Sequence, residues 1–313
     1  MLTALRYIAR HGRVCLVAGL LAGLLLPQAA QALRPWLPEL VGLLIFFAAL
    51  RIGPRQALGQ IGDLRETLTI VLVFQVALPL AAFAVAWVLG LWTIPFVVAV
   101  VLMLSAPSVT GAPNFTILLG KDPAPAMRLL IVGTALFPLT VLPMLWLAPG
   151  LGSVSEVLFA GMRVLLTILG ATSLGFIFRS LFLSDLTPDG MQALDGAGAI
   201  ALAITVVGLM SAIGPTLDKE PLVLAAWFIG VMAVNLGMQA ACFLVLRNKP
   251  AAVPISIVAG NRNVALFLLA LPPDITDPLL IFIGCYQFPM YLTPILMRRL
   301  YATSRDDDPA RSR

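Results

Sequence analysis

Apolar residues run through this chain almost without interruption, and polar residues gather in short gaps between the runs. A bilayer core of about 30 Å needs roughly 20 helical residues to cross it. Ten stretches fit that length, at 13–32, 36–50, 66–90, 94–119, 124–148, 155–182, 191–213, 221–246, 251–271 and 277–301. The second is short, which a tilted neighbour or a locally thinned bilayer accommodates. The pattern predicts an all-α integral membrane protein of ten transmembrane helices.

Composition removes the alternatives. The 313 residues are 60% hydrophobic and 11% charged, against roughly 25% charged residues in a soluble domain. The surface has to face lipid, and nucleic-acid-binding, disordered and disulfide-stapled classes are excluded. Arg6, Arg10 and Arg13 before the apolar run 14–26 imitate a signal peptide, but the same hydropathy continues along the chain, so this segment reads as a retained span.

Charge then sets orientation. With the amino terminus in the cytoplasm, every Lys and Arg except Arg34, Lys219, Arg163 and Arg262 falls at the inner side, and Glu39, Glu156, Asp218, Glu220, Asp274 and Asp277 fall in outer loops. A miscount by one helix would scramble this alternation, so the positive-inside rule supports ten spans in the plasma or inner membrane, with both termini cytoplasmic and a solvated tail over 302–313.

Enzyme chemistry has little to work with. Cys15, Cys242 and Cys285 lie in apolar runs and read as small core residues, and His11 is the one histidine. No HExxH or GxxxxGK[ST] pattern occurs, so neither a catalytic set nor a metal, cofactor or nucleotide site is expected.

The turn Pro149-Gly150-Leu151-Gly152-Ser153 divides the spans five and five. An odd number per half starts the second half on the opposite membrane face, which is the geometry of two inverted repeats, 13–148 and 154–301. Two runs correspond. SAPSVTGAPNF (105–115) puts Pro107, Gly111 and Pro113 inside the fourth span, and PISIVAGNRNVALF (254–267) puts Gly260, Asn261, Arg262 and Asn263 in the middle of the ninth. Proline removes a backbone donor and glycine loosens the helix, so both spans are expected to break near the bilayer centre. Broken backbone in lipid costs several kcal/mol per orphaned group, so the breaks belong in a cavity.

Arg262 is the most informative residue, because a mid-span guanidinium keeps its charge and its own span holds no acid. Two uses are open: bonding to the broken backbone, or attraction of an anion. Thr110, Gly111, Asn114, Asn261 and Asn263 join it as the expected substrate-binding set, and Gln75 with Arg262 as the expected ion-binding or ion-substituting pair. Half-helix amino termini add positive potential. Asn235 and Gln239, four apart, share one helix face and read as interhelical glue. Arg163 and Asp195 have opposite signs but estimated depths differing by roughly 10 Å; Asp195 alone is a minor candidate for a proton site.

With these residues in place, the chain resembles the bile acid:sodium symporter family over residues 13–301, on Gln75 in FQVALP, PNF at 113–115 after Gly111, and Gly260 and Asn263 in AGNRN. The resemblance implies broken, crossing fourth and ninth helices. It also implies a panel domain from helices 1, 2, 6 and 7 and a core domain from helices 3–5 and 8–10, with an organic-anion substrate between them. It places Gln75 on a sodium-ligand glutamine and Asn114 and Asn263 on asparagines of the fourth and ninth helices. The departures are Val258 for a sodium-binding glutamate, Arg262 for a sodium-binding glutamine and Pro113 for a serine, while fifth-helix ligands align poorly over 127–134. The implied function is secondary transport of a small organic anion by alternating access without two-sodium coupling, as a uniporter, an exchanger or a proton-coupled carrier. A sodium-coupled symporter with a remodelled site, and a sensor or channel on the same fold, are the alternatives. A related arsenite carrier is expected to have a fourth-helix cysteine and a ninth-helix glutamate, which this chain lacks.

Overall fold

The computed structural model describes residues 2–59, 64–147, 153–183, 187–271 and 273–303. The expected turn at 149–152 and the tail from 304 onward lie outside the described residues. In chain order the helices are α1 (Leu2–Arg10), α2 (Gly12–Leu25), α3 (Pro27–Leu33), α4 (Leu37–Gly59), α5 (Leu64–Leu72), α6 (Leu78–Val88), α7 (Pro95–Ser105), α8 (Ala112–Leu118), α9 (Ala124–Thr140), α10 (Leu142–Leu147), α11 (Val154–Phe182), α12 (Pro188–Leu209), α13 (Ile213–Lys219), α14 (Pro221–Leu246), α15 (Ala252–Gly260), α16 (Phe267–Ala270), α17 (Pro273–Leu296) and α18 (Arg298–Tyr301). The described chain is predominantly helical with no named strand, and large apolar side chains are exposed on it, including Leu222 at 84% and Val245 at 81% exposure. This is an all-α protein with the surface of a multi-pass membrane protein.

Among the described residues, six helical stretches are long and apolar enough to cross a membrane: Pro27–Pro54, Leu64–Val88, Val154–Phe182, Pro188–Lys219, Pro221–Leu246 and Thr276–Leu296. The helix pair Leu2–Arg10 and Val14–Leu25, bent by 85°, would make a seventh. The expected spans therefore do not map one for one onto continuous helices. The first does not run through to residue 32, because Pro27 forces Leu26 out of the helical region (φ −120°, ψ 66°). The gap expected at 33–35 is bridged instead by a 3-10 turn, Arg34–Trp36. The fourth, fifth and ninth are each interrupted, at 106–111, Val141 and 261–263.

Two compact units divide the chain. The first lies within Met1–Gly59, Gly152–Ala225 and Ala265–Cys285. In it α4 and α11 pack closely: Gly175 has no room for a Cβ against Ala49 and Phe46. Gly53 turns the end of α4 with φ +71°, a conformation glycine adopts without strain. Ion pairs Arg6–Asp189, Arg34–Asp277 and Arg51–Asp195 tie the unit's helices. Asp195 thus meets Arg51, at 2.6 Å, and Arg163 is elsewhere, exposed on α11.

The second unit lies within Gln60–Leu151, Ala226–Val264 and Tyr286–Arg313. It holds α5–α10, α14 from Ala226 on, α15, the last part of α17 and α18. Both interrupted runs singled out in the sequence fall here up to Val264.

Candidate functional site

The first break follows from its prolines. Ala106 precedes Pro107 and is extended (φ −66°, ψ 151°), which ends α7; Gly111 and Pro113 then open α8. The second break follows Gly260, which sits so close to the Asn235 carbonyl and the Gln239 side chain that a Cβ would overlap them. Between these helices the two interrupted segments lie antiparallel, bridged at Ser108 and Arg262. Val109 N–H donates to the Asn261 carbonyl at 3.0 Å, and Asn263 N–H donates to the Pro107 carbonyl at 2.8 Å.

Backbone polar groups freed by a break need partners, because lipid offers none. Side chains supply them. The Gly260 carbonyl accepts from Asn235 Nδ2 at 2.6 Å and from the Tyr286 hydroxyl. The same hydroxyl accepts from Arg262 N–H at 2.8 Å. The guanidinium donates from Nε to the Ala259 carbonyl and from Nη1 to the Ala106 carbonyl, both at 3.1 Å. These two carbonyls stand at the carboxyl ends of α15 and α7, where helix dipoles are negative. Arg262 therefore neutralises two converging helix ends at once, while the Phe74 ring covers it at 4.5 Å. It is 2% exposed, and its buried Nη2 has no partner among the described residues.

The other predicted residues divide into buried and accessible groups. Asn261 is fully buried and spends its amide on Ile257, Asn235 and Thr293. Gln75, in a π-helical turn over Val73–Ala77, is buried and accepts from Thr140 Oγ1 at 2.6 Å, with Gly133 leaving room for its amide. Asn114 is exposed on α8, and Thr110 and Asn263 are half-buried, so these three present polar side chains at the paired breaks. Gly111 lies over the Phe115 ring. Val258 is buried within α15 and brings no polar group to it.

Sequence reasoning missed the supporting network. Gln239 donates to Asn235 at 2.7 Å and to Thr293 at 3.0 Å, and Tyr301 donates to Gln239 at 2.9 Å. Asn235 and Gln239 act as the expected interhelical glue, but their partners Tyr286, Thr293 and Tyr301 had no signal beyond being polar groups in an apolar run. Compared with models of known protein families and with curated proteins, the chain matches none.

Proposed function

We propose that the protein is a secondary transporter of small organic anions, working by alternating access in a ten-span fold of two inverted five-helix repeats, and that it runs without a coupled sodium ion. The observation that carries this is the placement of Arg262 between two helix carboxyl ends, inside a pair of backbone breaks held by each other's main chain and by side chains. Interrupted helices at membrane depth are tolerated where they serve a binding site. In such sites unwound carbonyls and helix carboxyl ends coordinate the driving cation. Here a tethered guanidinium already holds those carbonyls, and Val258 offers no carboxylate to balance a second cation. The two helix ends offset most of the guanidinium charge, and its Nη2, which has no partner among the described residues, is the donor left to attract an anion that meets the accessible side chains of Thr110, Asn114 and Asn263.

Uptake of radiolabelled small carboxylates into proteoliposomes tests the proposal. Transport is expected to be equal with and without an inward sodium gradient, and a strong sodium dependence would refute it. Accumulation against a gradient, under an imposed proton or counter-anion gradient, distinguishes a coupled carrier from a channel or sensor. Installing the missing charge pattern, Val258→Glu with Arg262→Gln, should give sodium binding measurable by calorimetry.

A further inference from the structure

The helices α4 and α11 run in the same direction, because Gly42 lies against Thr167 and Gly175, further along, lies against Ala49 and Phe46. Glu39 precedes Gly42 by about one turn, and Arg163 precedes Thr167 by about one turn, so the two stand at the same height on neighbouring helices. Both are exposed, and neither takes part in the ion pairs found among the described residues. Phe46 of α4 meets Phe178 of α11 further along the same groove, ring centroids 6.2 Å apart.

Exposed apolar side chains adjoin these two charges, Leu43 on α4 and Phe159, Met162 and Leu166 on α11, with Glu156 two turns before Arg163. An arginine on such a face is costly near the middle of a membrane helix, so it extends toward headgroups. The geometry allows this. Arg163 lies nine residues from Val154, or about 13 Å along α11, and helical side chains tilt toward the amino terminus. Trp36, 61% exposed and one turn before Glu39, has the amphipathic ring that settles at headgroup level. A cation alone would accept any phosphate. An acid at the same height selects for a headgroup that also carries an ammonium, and neighbouring helix axes about 8–10 Å apart leave room for one charged contact at each end.

We infer that the α4–α11 groove binds a phospholipid with a primary-amine headgroup, its phosphate on Arg163 and its ammonium on Glu39. This rests on membrane embedding alone and is independent of what the protein transports. Native mass spectrometry of the purified protein in mixed micelles reads it, with phosphatidylethanolamine and phosphatidylglycerol as probes. Wild type is expected to retain phosphatidylethanolamine in preference. Glu39→Gln should erase the preference, a change of about twofold to fivefold for one exposed ion pair, and Arg163→Gln should weaken both lipids. Because both side chains are exposed, the variants should melt as wild type does. Equal or stronger retention of phosphatidylglycerol by wild type overturns the proposal. So does a pair of variants that lose thermal stability with lipid retention unchanged, which is the signature of Glu39 serving only the first turn of α4 or pairing directly with Arg163.

Discussion

A permanent cation with no acid in its own span was the clearest signal in the sequence, and two uses for it were open. Its actual bonds, to Ala106 and Ala259, make it a clamp on two helix ends. Each carbonyl left without a donor costs about 1–3 kcal/mol. Arg262→Met should therefore lower the melting temperature by several degrees, and sodium chloride should restore part of the loss relative to choline chloride, since an ion can take the vacated place between the carbonyls. Wild type should show no such difference. Lysine is a poor substitute, because one ammonium lacks the planar fork that reaches both oxygens. Asn261 and Asn263 looked equivalent in the sequence, yet one is consumed inside the protein and the other is only half-buried. Positions two apart on a regular extended segment share a side, but the chain is already entering a 3-10 turn at Val264, so the two side chains part, and the spacing of polar residues gave no hint of it.

At the level of helices, both breaks were legible because their causes are local: Pro107, Gly111 and Pro113 in one, Gly260 in the other. What joins them was not, since Val109 meets Asn261 across about half the chain in sequence and only backbone atoms take part. Pro27 acted just as Pro107 did, but amid uniformly apolar neighbours its effect was hidden within an expected span. The ninth-span break also depends on close packing, which gives a paired test. Gly260→Ala would press a methyl into the Asn235 carbonyl, and overpacking of this kind costs about 1–3 kcal/mol. Its melting temperature in detergent should fall by roughly 3 °C or more. Gly237→Ala, on α14 with open space around it, should be neutral or slightly stabilising because alanine is the better helix former.

For the molecule as a whole, the distribution of basic residues predicts that residue 249 faces the cytoplasm and residue 219 the opposite side. With Cys15, Cys242 and Cys285 replaced by alanine, Lys219→Cys should react with an impermeant maleimide in intact cells and Lys249→Cys only after lysis. Labelling of both from outside would overturn the ten-span orientation. The join between 107–109 and 261–263 bears on a longer timescale. Its two stitches are made by main-chain N–H and carbonyl groups, Pro107 supplying one of the carbonyls, so the bonds themselves do not call on the side chains at 109 and 263. The side chains of Asn263 within the join and of Thr110 beside it are thereby free to drift toward new chemistry over generations while the scaffold beneath them stays sewn shut.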